Sequence, residues 1–420
     1  MDNNEENNNK INLFTFSSNV ENTPTFTESG KKNWINYGND NNYPLYLIEL
    51  MNKSSKHNSI LKRKTSMTAG NGWEETDTNE EFIKNLNGGE NLNKIAFKNA
   101  YDLNLYGGYS LLITWSKDRK SIARIKYVDF SKVRIAKDVD EKENPEIYKR
   151  QDDGVEFYYI SSDWTQVRKE KYKPELIQGF SEKYNDEATQ LIYVKEYRPG
   201  VEFYTLPDYI SAIDWIELDK EIANYHLSGA KNGFTPSMAI NFKSGIPSKE
   251  EQNRFHRQIQ DKFSGTDNAS KVFITYSEDG DKAPEFIPLS ANDNDKRFLD
   301  LEETISQNMA IAHQIPPVVI GVLVSGKLGT TNELYEAESL FQRNVIDTKQ
   351  FSIEEIYNEL ATFNGVGEME LIKTEPLSPF ILETEIDISE WDEDQIEDVV
   401  EQIEELEGGT DDTDKNKEVE

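Results

Sequence analysis

Apolar residues recur at helical spacing in two segments of nearly equal length. The first begins at Pro207, whose fixed φ suits a first helical turn, and carries Ile210, Ile213, Ile216, Ile222, Ala223 and Leu227 up to Ser228-Gly229. The second opens after Ser290 and Asn292, both good N-caps, and repeats Phe298, Leu301, Ile305, Met309 and Ala312 at steps of three and four. Pro316-Pro317 close it, because the residue before a proline is steered out of the helical region. At 1.5 Å per residue, each segment of about 23 residues makes a rod roughly 34 Å long.

Between the rods, Asn232-Gly233 marks a turn and Ser237 to Phe242 alternates like a strand. Ser248-Lys249-Glu250-Glu251 spells a capping box, followed by Phe255, Ile259 and Phe263 four apart and a stop at Gly265. Lys271 to Tyr276 is again extended, so the insert reads strand, helix, strand. Beyond the prolines a glycine-rich loop leads to a third long helix from about Asn332. It carries Leu334, Ala337, Phe341 and Val345 on one face, continued by Ile353, Ile356 and Leu360.

Upstream, Leu45, Ile48, Met51, Ile60 and Met67 fit one or two helices ending at Gly70-Asn71-Gly72, and another helix is expected over Leu92 to Tyr106. Strand patterns follow at Tyr109 to Trp115, Ile122 to Val128, Val133 to Ala136, Tyr158 to Ile160 and Leu191 to Val194, continuing to about Tyr204. The fold class is α+β. Residues 1–33, rich in Asn, Thr, Ser and Glu, read as a flexible arm.

With 420 residues, 36% of them hydrophobic, the chain can bury more than one core. No apolar run reaches the eighteen or so residues of a membrane span, and the first residues lack a signal-peptide pattern. Zero cysteines exclude disulfides, thiolate nucleophiles and Cys-based zinc sites. His57, His226, His256 and His313 stand far apart and make no metal-ligand spacing, so no metal or other cofactor is expected. The net charge of −32 is uneven: Glu383 to Glu420 holds 18 acidic and 2 basic residues, a solvated tail with a short helix at Ile396, Val399, Val400 and Ile403. From Lys117 to Lys137 eight basic residues face two acidic ones. They sit between strand-like apolar positions and read as a solvated sheet face or a subunit contact, not a nucleic-acid patch.

One chemical motif nearly completes. Gly321 to Leu328 matches the phosphate-loop pattern except at its last position, where Leu328 cannot supply the hydroxyl that reaches Mg²⁺. Asp293, Asp295, Asp300, Glu302 and Glu303 could suggest a metal-dependent nuclease but fall on the polar face of the second rod. No catalytic elbow, zincin or dinucleotide fingerprint is present, so no enzyme is expected. Other readings of the residues are an acidic-site nuclease, a nucleotide-binding enzyme, or an acidic oligomeric adaptor without a channel.

Three segments carry a family resemblance: Asn232 to Ser237, Phe263 to Lys271, and Met309 to Gly321. Together with Tyr37-Gly38 and Asn42-Tyr43-Pro44, they resemble in order and spacing the core of tailed-bacteriophage portal proteins. The match covers about residues 205 to 350, more loosely 35 to 130. One departure is that His313 and Gln314 stand where the family often has an aromatic residue and glycine.

The resemblance implies a phage portal fold with wing, helical stem, α/β clip and small helical crown. It implies a homo-oligomeric ring, usually of twelve subunits, at one capsid vertex of the virion, assembled in the host cytoplasm without membrane contact. Double-stranded DNA would pass through without sequence-specific binding, packaged by a terminase and later ejected. A head-tail adaptor and the major capsid protein are the other expected partners. The wing would take 34–206 and 366–388, the stem 207–236 and 290–317, the clip 237–289, and the tunnel loop region 318–331. A long wing helix over 332–365, a crown helix over 389–407 and a disordered acidic tail over 408–420 complete the division. Val324, Ser325, Gly326, Lys327, Leu328, Gly329 and Thr330 would face DNA. Lys243, Ser244, Lys249, Arg254, Arg257, Lys262, Asp279, Asp281 and Lys282 would meet terminase or adaptor. Asp214, Glu217, Glu221, Asp300 and Glu303 would line the stem channel.

Overall fold

A computed structural model describes residues 24–374, apart from 25, 29–31, 89, 168–171, 233–237, 243–247, 252–253, 255–271, 277–284, 289–293 and 322–330. The chain enters through a two-residue strand β1 (Thr27–Glu28), paired antiparallel with β2 (Ile35–Asn36). Phe26 packs on Tyr37 and Tyr204, so the last residues of the expected flexible arm are docked, because an aromatic side chain finds a partly formed core beside it. Tyr37 is fully buried and donates its hydroxyl proton to the Thr205 carbonyl at 2.7 Å. Gly38 makes the turn that follows with φ 84, where a Cβ would stand 2.8 Å from that of Tyr43.

Helices α1 (Tyr43–Lys53) and α2 (Ser55–Ala69) are divided at Ser54, whose hydroxyl accepts from the His57 amide and starts the second helix. A short α3 (Glu80–Asn85) precedes α4 (Leu92–Tyr106), which starts on the Asn91 side chain and ends at Gly107 in the left-handed region. α4 buries residues on almost every side because α2, the main sheet and a C-terminal helix all pack on it. That sheet, in the order β4–β3–β8, is antiparallel throughout: β3 (Gly108–Trp115), β4 (Ile122–Val128) and β8 (Thr189–Lys195). Tyr109, Leu111 and Ile113 of β3 join the core around α4, while Leu112 on the opposite face meets the core around α1 and α2. A strand caught between two cores loses its simple alternation.

A second antiparallel sheet is built from β5 (Val133–Ile135), β6 (Phe157–Ile160) and β7 (Glu175–Gln178), with α5 (Pro145–Asp152) on an excursion between β5 and β6. Arg134 is buried at its edge. Its guanidinium lies 4.9 Å from the Trp164 ring centre and donates to the Asn41 side chain and to backbone carbonyls, which satisfies the charge.

The two rods are α6 (Ile213–Asn232), entered through a 3₁₀ turn at Ile210–Ala212, and α7 (Asn294–Ala312). They pack together, with Ile213, Ile216, Ile222, Ile305 and Met309 buried. α6 runs past the expected stop at Ser228-Gly229, since a glycine inside a helix lowers its stability without forbidding it. α7 ends before the prolines: Gln314 takes φ 56, the left-handed conformation that glycine adopts most easily, and Pro317–Ile320 form a 3₁₀ turn. The insert is a three-stranded sheet in the order β10–β9–β11, formed by β9 (Met238–Phe242), β10 (Val272–Tyr276) and β11 (Glu285–Pro288). β10 is parallel to β9, and β11 is antiparallel. The capping box is formed: Ser248 Oγ accepts from the Glu251 amide, and Glu251 accepts from the Ser248 amide.

The third long helix is interrupted. α8 (Thr331–Phe341) and α9 (Asp347–Thr362) are joined by a π turn at Gln342–Ile346. Phe341 and Ile346, five apart, are both buried, and Gln342 Nε2 donates to Asp347 Oδ1 across the same interval. The extra residue shifts the predicted stripe, leaving Leu334 exposed while Glu338, Gln342 and Lys349 turn inward.

Gly107 joins two of these parts: φ is 82, and a Cβ there would stand 2.7 Å from the Leu206 carbonyl oxygen. Gly107→Ala is expected to lower unfolding free energy by about 1–3 kcal/mol or more, measured by urea denaturation.

Candidate functional site

Where α6 leaves the body of the protein, four charged side chains from distant segments meet. Lys64 projects from α2 and is fully buried although charged; Lys349 projects from α9 and is nearly so. Both reach Asp208, which stands just before α6, with Lys349 Nζ 3.4 Å from Asp208 Oδ2 and Lys64 donating to the same oxygen. Lys349 also lies 2.9 Å from Glu196, just beyond β8. Two cations and two anions balance. Burial pushes the Asp208 carboxyl up, but Lys64 and Lys349 outweigh it and hold the group well below the usual carboxylate range. Burial lowers Lys64 despite Asp208, whereas Asp208 and Glu196 more than offset burial at Lys349 and raise it.

Beside this cluster His57 Nδ1 and His313 Nε2 are 3.0 Å apart, and the Tyr209 ring lies 4.5 Å from one imidazole and 4.6 Å from the other. His313 is thus packed as a ring against His57 and Tyr209. Burial, the first cause, lowers the pKa of His57 to about 3 and that of His313 well below its ordinary value; the two lysines add to the effect at His313. Arg63 pairs with Glu338 of α8, and Gln350 accepts from Gln342 in the π turn. The arrangement binds α2, the root of α6, the end of α7 and the helix after the glycine-rich loop into one junction.

A second row of contacts lays α6 along α1 and α2. Asp219 accepts from Ser54 Oγ at 2.7 Å and pairs with Lys56 at 3.1 Å, and Lys220 pairs with Glu49 at 3.1 Å. Glu217, expected on the channel face, is half-buried and accepts from the Tyr46 hydroxyl at 2.8 Å. In the single chain this carboxylate takes part in the contact with α1. Asp214, Glu221, Asp300 and Glu303 are exposed, Glu303 accepting from Gln307 one turn on. Lys249 and Arg254 are exposed in the short helical stretch of the insert. Lys243, Ser244, Arg257, Lys262, Asp279, Asp281, Lys282 and the loop residues Val324 to Thr330 lie outside the described residues, as do the expected crown helix and acidic tail.

The histidine pair escaped the sequence reading, since 256 positions separate its members. The lysines left a signal. Lys64 falls in phase with Ile60, Leu61 and Met67, and Lys349 with Ile346 and Ile353, so each charge sits on an apolar stripe. Among the described residues no group of three or more His, Cys, Asp or Glu could hold a metal ion, and no helix is long and apolar enough to cross a membrane.

Comparison with known proteins adds a family. The profile described as phage portal protein matches residues 66–367. Over 136 residues the chain is 26% identical to an uncharacterized protein of Rickettsia bellii (strain RML369-C), covering 32% of this chain and 34% of that one. Over 184 residues it is 20% identical to the probable portal protein of Haemophilus phage HP1 (strain HP1c1), covering 44% and 53%. The chain therefore spans between a third and about half of these relatives' length. Among solved structures, a chain in the virion of a native gene transfer agent particle matches with TM-score 0.51 at 12% identity, over 87% of this chain and 89% of its own. A chain in the neck of a native gene transfer agent particle computed with C12 symmetry gives 0.51 at 14% identity, over 79% and 85%. At such identity the likeness is one of fold.

Two outcomes are expected at the junction. Asp208→Asn leaves two buried cations short of a partner and should cost about 3–5 kcal/mol by urea denaturation, whereas Glu196→Gln, at a partly exposed carboxylate, should cost less. The histidines are held neutral in the fold. Their contribution to stability is complete above the unfolded pKa of about 6.5 and is lost as pH falls from there toward about 3. Denaturation midpoints should decline between pH 6.5 and 4, with a shallower decline in a His57→Phe, His313→Phe variant.

Proposed function

The chain belongs to the phage portal protein family, and we propose that about twelve copies close into a ring through which double-stranded DNA is packaged and later ejected. The family is a structural class, and the proposed ring has no chemistry of its own: a separate ATP-hydrolysing terminase drives the DNA. The observation that carries this reading is the pair of rods α6 and α7, packed on each other and anchored at one root, with Asp214, Glu221, Asp300 and Glu303 exposed along them. Carboxylates on a DNA passage repel the polyanion and keep it from sticking. The virion and neck origin of the similar folds accords with a place at a capsid vertex.

Within this reading the insert, with Lys249 and Arg254 exposed, meets terminase and then the head-tail adaptor, and the wing meets the capsid protein. Neighbouring subunits would cover the apolar residues that the single chain leaves in solvent, among them Ile311 at 73%, Leu340 at 58% and Phe351 at 64% exposure. Lys327, the only charged residue between Val318 and Asn332, touches passing phosphates through a weak contact that salt screens.

Negative-stain images of the purified protein should show twelve-fold rings with a central hole, and a Leu340→Glu, Phe351→Glu variant should elute as a species several-fold smaller. Monomers from the unaltered chain would overturn the ring. Lys327→Glu should reduce the amount of full-length genome retained per particle; normal packaging and retention would remove that role from Lys327.

A further inference from the structure

We propose that the apolar cluster Ile11 to Phe16 of the N-terminal arm seats in a cleft of about 430 Å³ beside the start of α1 in its own chain. Pro24, Tyr43, Leu45 and Tyr46 line the cleft, with Asp40 and Glu49 among its polar residues.

The path of the chain leads there. Because β1 runs antiparallel to β2, with Thr27 opposite Asn36, residues before Thr27 travel alongside Tyr37 and then Gly38. Phe26 packs on Tyr37, and Pro24 lies close enough to Gly38 that a Cβ on the glycine would be 3.7 Å from Pro24 Cβ. The arm thus leaves the described structure at the cleft, whose next lining residues are Asn39, Asp40 and Asn42.

The arm carries a fitting ligand. In residues 1–23 the apolar side chains are Met1, Ile11, Leu13, Phe14, Phe16 and Val20, and four of these fall within Ile11 to Phe16. Lys10, the only basic residue among the first thirty, stands immediately before the cluster and complements the carboxylate of Asp40, that of Glu49 being paired with Lys220. Phe16 is eight residues from Pro24, a tether of at most roughly 29 Å, which suffices for the chain to turn back on itself. So short a tether holds the segment at about millimolar effective concentration, which favours its own cleft over that of another copy. Leu45, 40% exposed on a helix that otherwise buries its apolar face, is the contact left to be covered.

The test uses the full-length protein with a photoreactive benzoyl-phenylalanine at position 16. Irradiation should yield a product that migrates as a single chain, with the cross-link mapped by mass spectrometry to residues 39–49. Cross-links elsewhere, or cross-links to this segment that appear only between two chains, would overturn the proposal. A Phe14→Asp, Phe16→Asp variant, altered outside the cores, should exchange amide hydrogens at least about fivefold faster over residues 43–49, and unchanged exchange would also overturn it. Ring formation is not involved, so either result leaves the family reading where it stands.

Discussion

Two lysines taken out of water, held by an aspartate and by a partly exposed glutamate, govern the rest of this structure. Moving a charge into the interior costs several kcal/mol unless a partner of opposite sign arrives with it, so the set is tolerable only when complete. Lys64 comes from α2, Asp208 from the root of α6, Lys349 from α9 and Glu196 from the end of β8. Any other placement of these four segments strands a charge. The root of the paired rods is held by that condition together with the close packing of Tyr209, Ile213 and Ile216. The histidine pair extends the same region with one nitrogen-to-nitrogen hydrogen bond between neutral rings, packed against the Tyr209 ring.

The condition also explains how an acidic protein uses its cations. Lys56, Arg63, Lys64, Lys220 and Lys349 all pair with carboxylates of other segments around this junction. Positive charge is drawn inward to hold the parts together. Other carboxylates, among them Asp214, Glu221, Asp300 and Glu303, stand exposed on α6 and α7. The basic run from Lys117 to Lys137 follows the same economy in part: Arg134 is buried between aromatic rings, and Arg124 and Lys126 lie exposed on β4, an edge strand. Charge on an edge discourages pairing with stray strands.

Long periodic elements were legible in the sequence, as were the short apolar strands β5 and β6, and the other short or unburied ones were not. Leu92 to Tyr106 matches its predicted ends because a cap and a glycine mark them, and Ile122 to Val128 because the polar Ser121 and Asp129 bound its apolar positions. α5 buries no residue, so no apolar stripe existed to be read, and α3 has only six residues. β7 and β11 each hold only two adjacent apolar residues between polar or proline ends, Leu176-Ile177 and Phe286-Ile287, which give neither alternation nor an apolar run. At the junction the helices were readable but their meeting was not. Asp208, directly after Pro207, carries no local mark of its role, and only the lysines hinted at burial. The contact of Glu217 was equally hidden, since a carboxylate on a polar face looks solvated until a tyrosine from another helix is found beside it.

The π turn at Gln342–Ile346 carries a consequence of another kind. One surplus residue in a helix rotates everything on one side of it by about 100° and displaces it by about 1.5 Å relative to a regular helix. α9 is fixed by Ile353, Tyr357 and Leu360 in the core, so the rotation falls on α8. The azimuth of α8 is therefore written in the number of residues between two anchors, and no side chain within it need encode that bearing. Substitution can change what α8 touches, whereas a single-residue insertion or deletion between Phe341 and Asp347 changes which way it points.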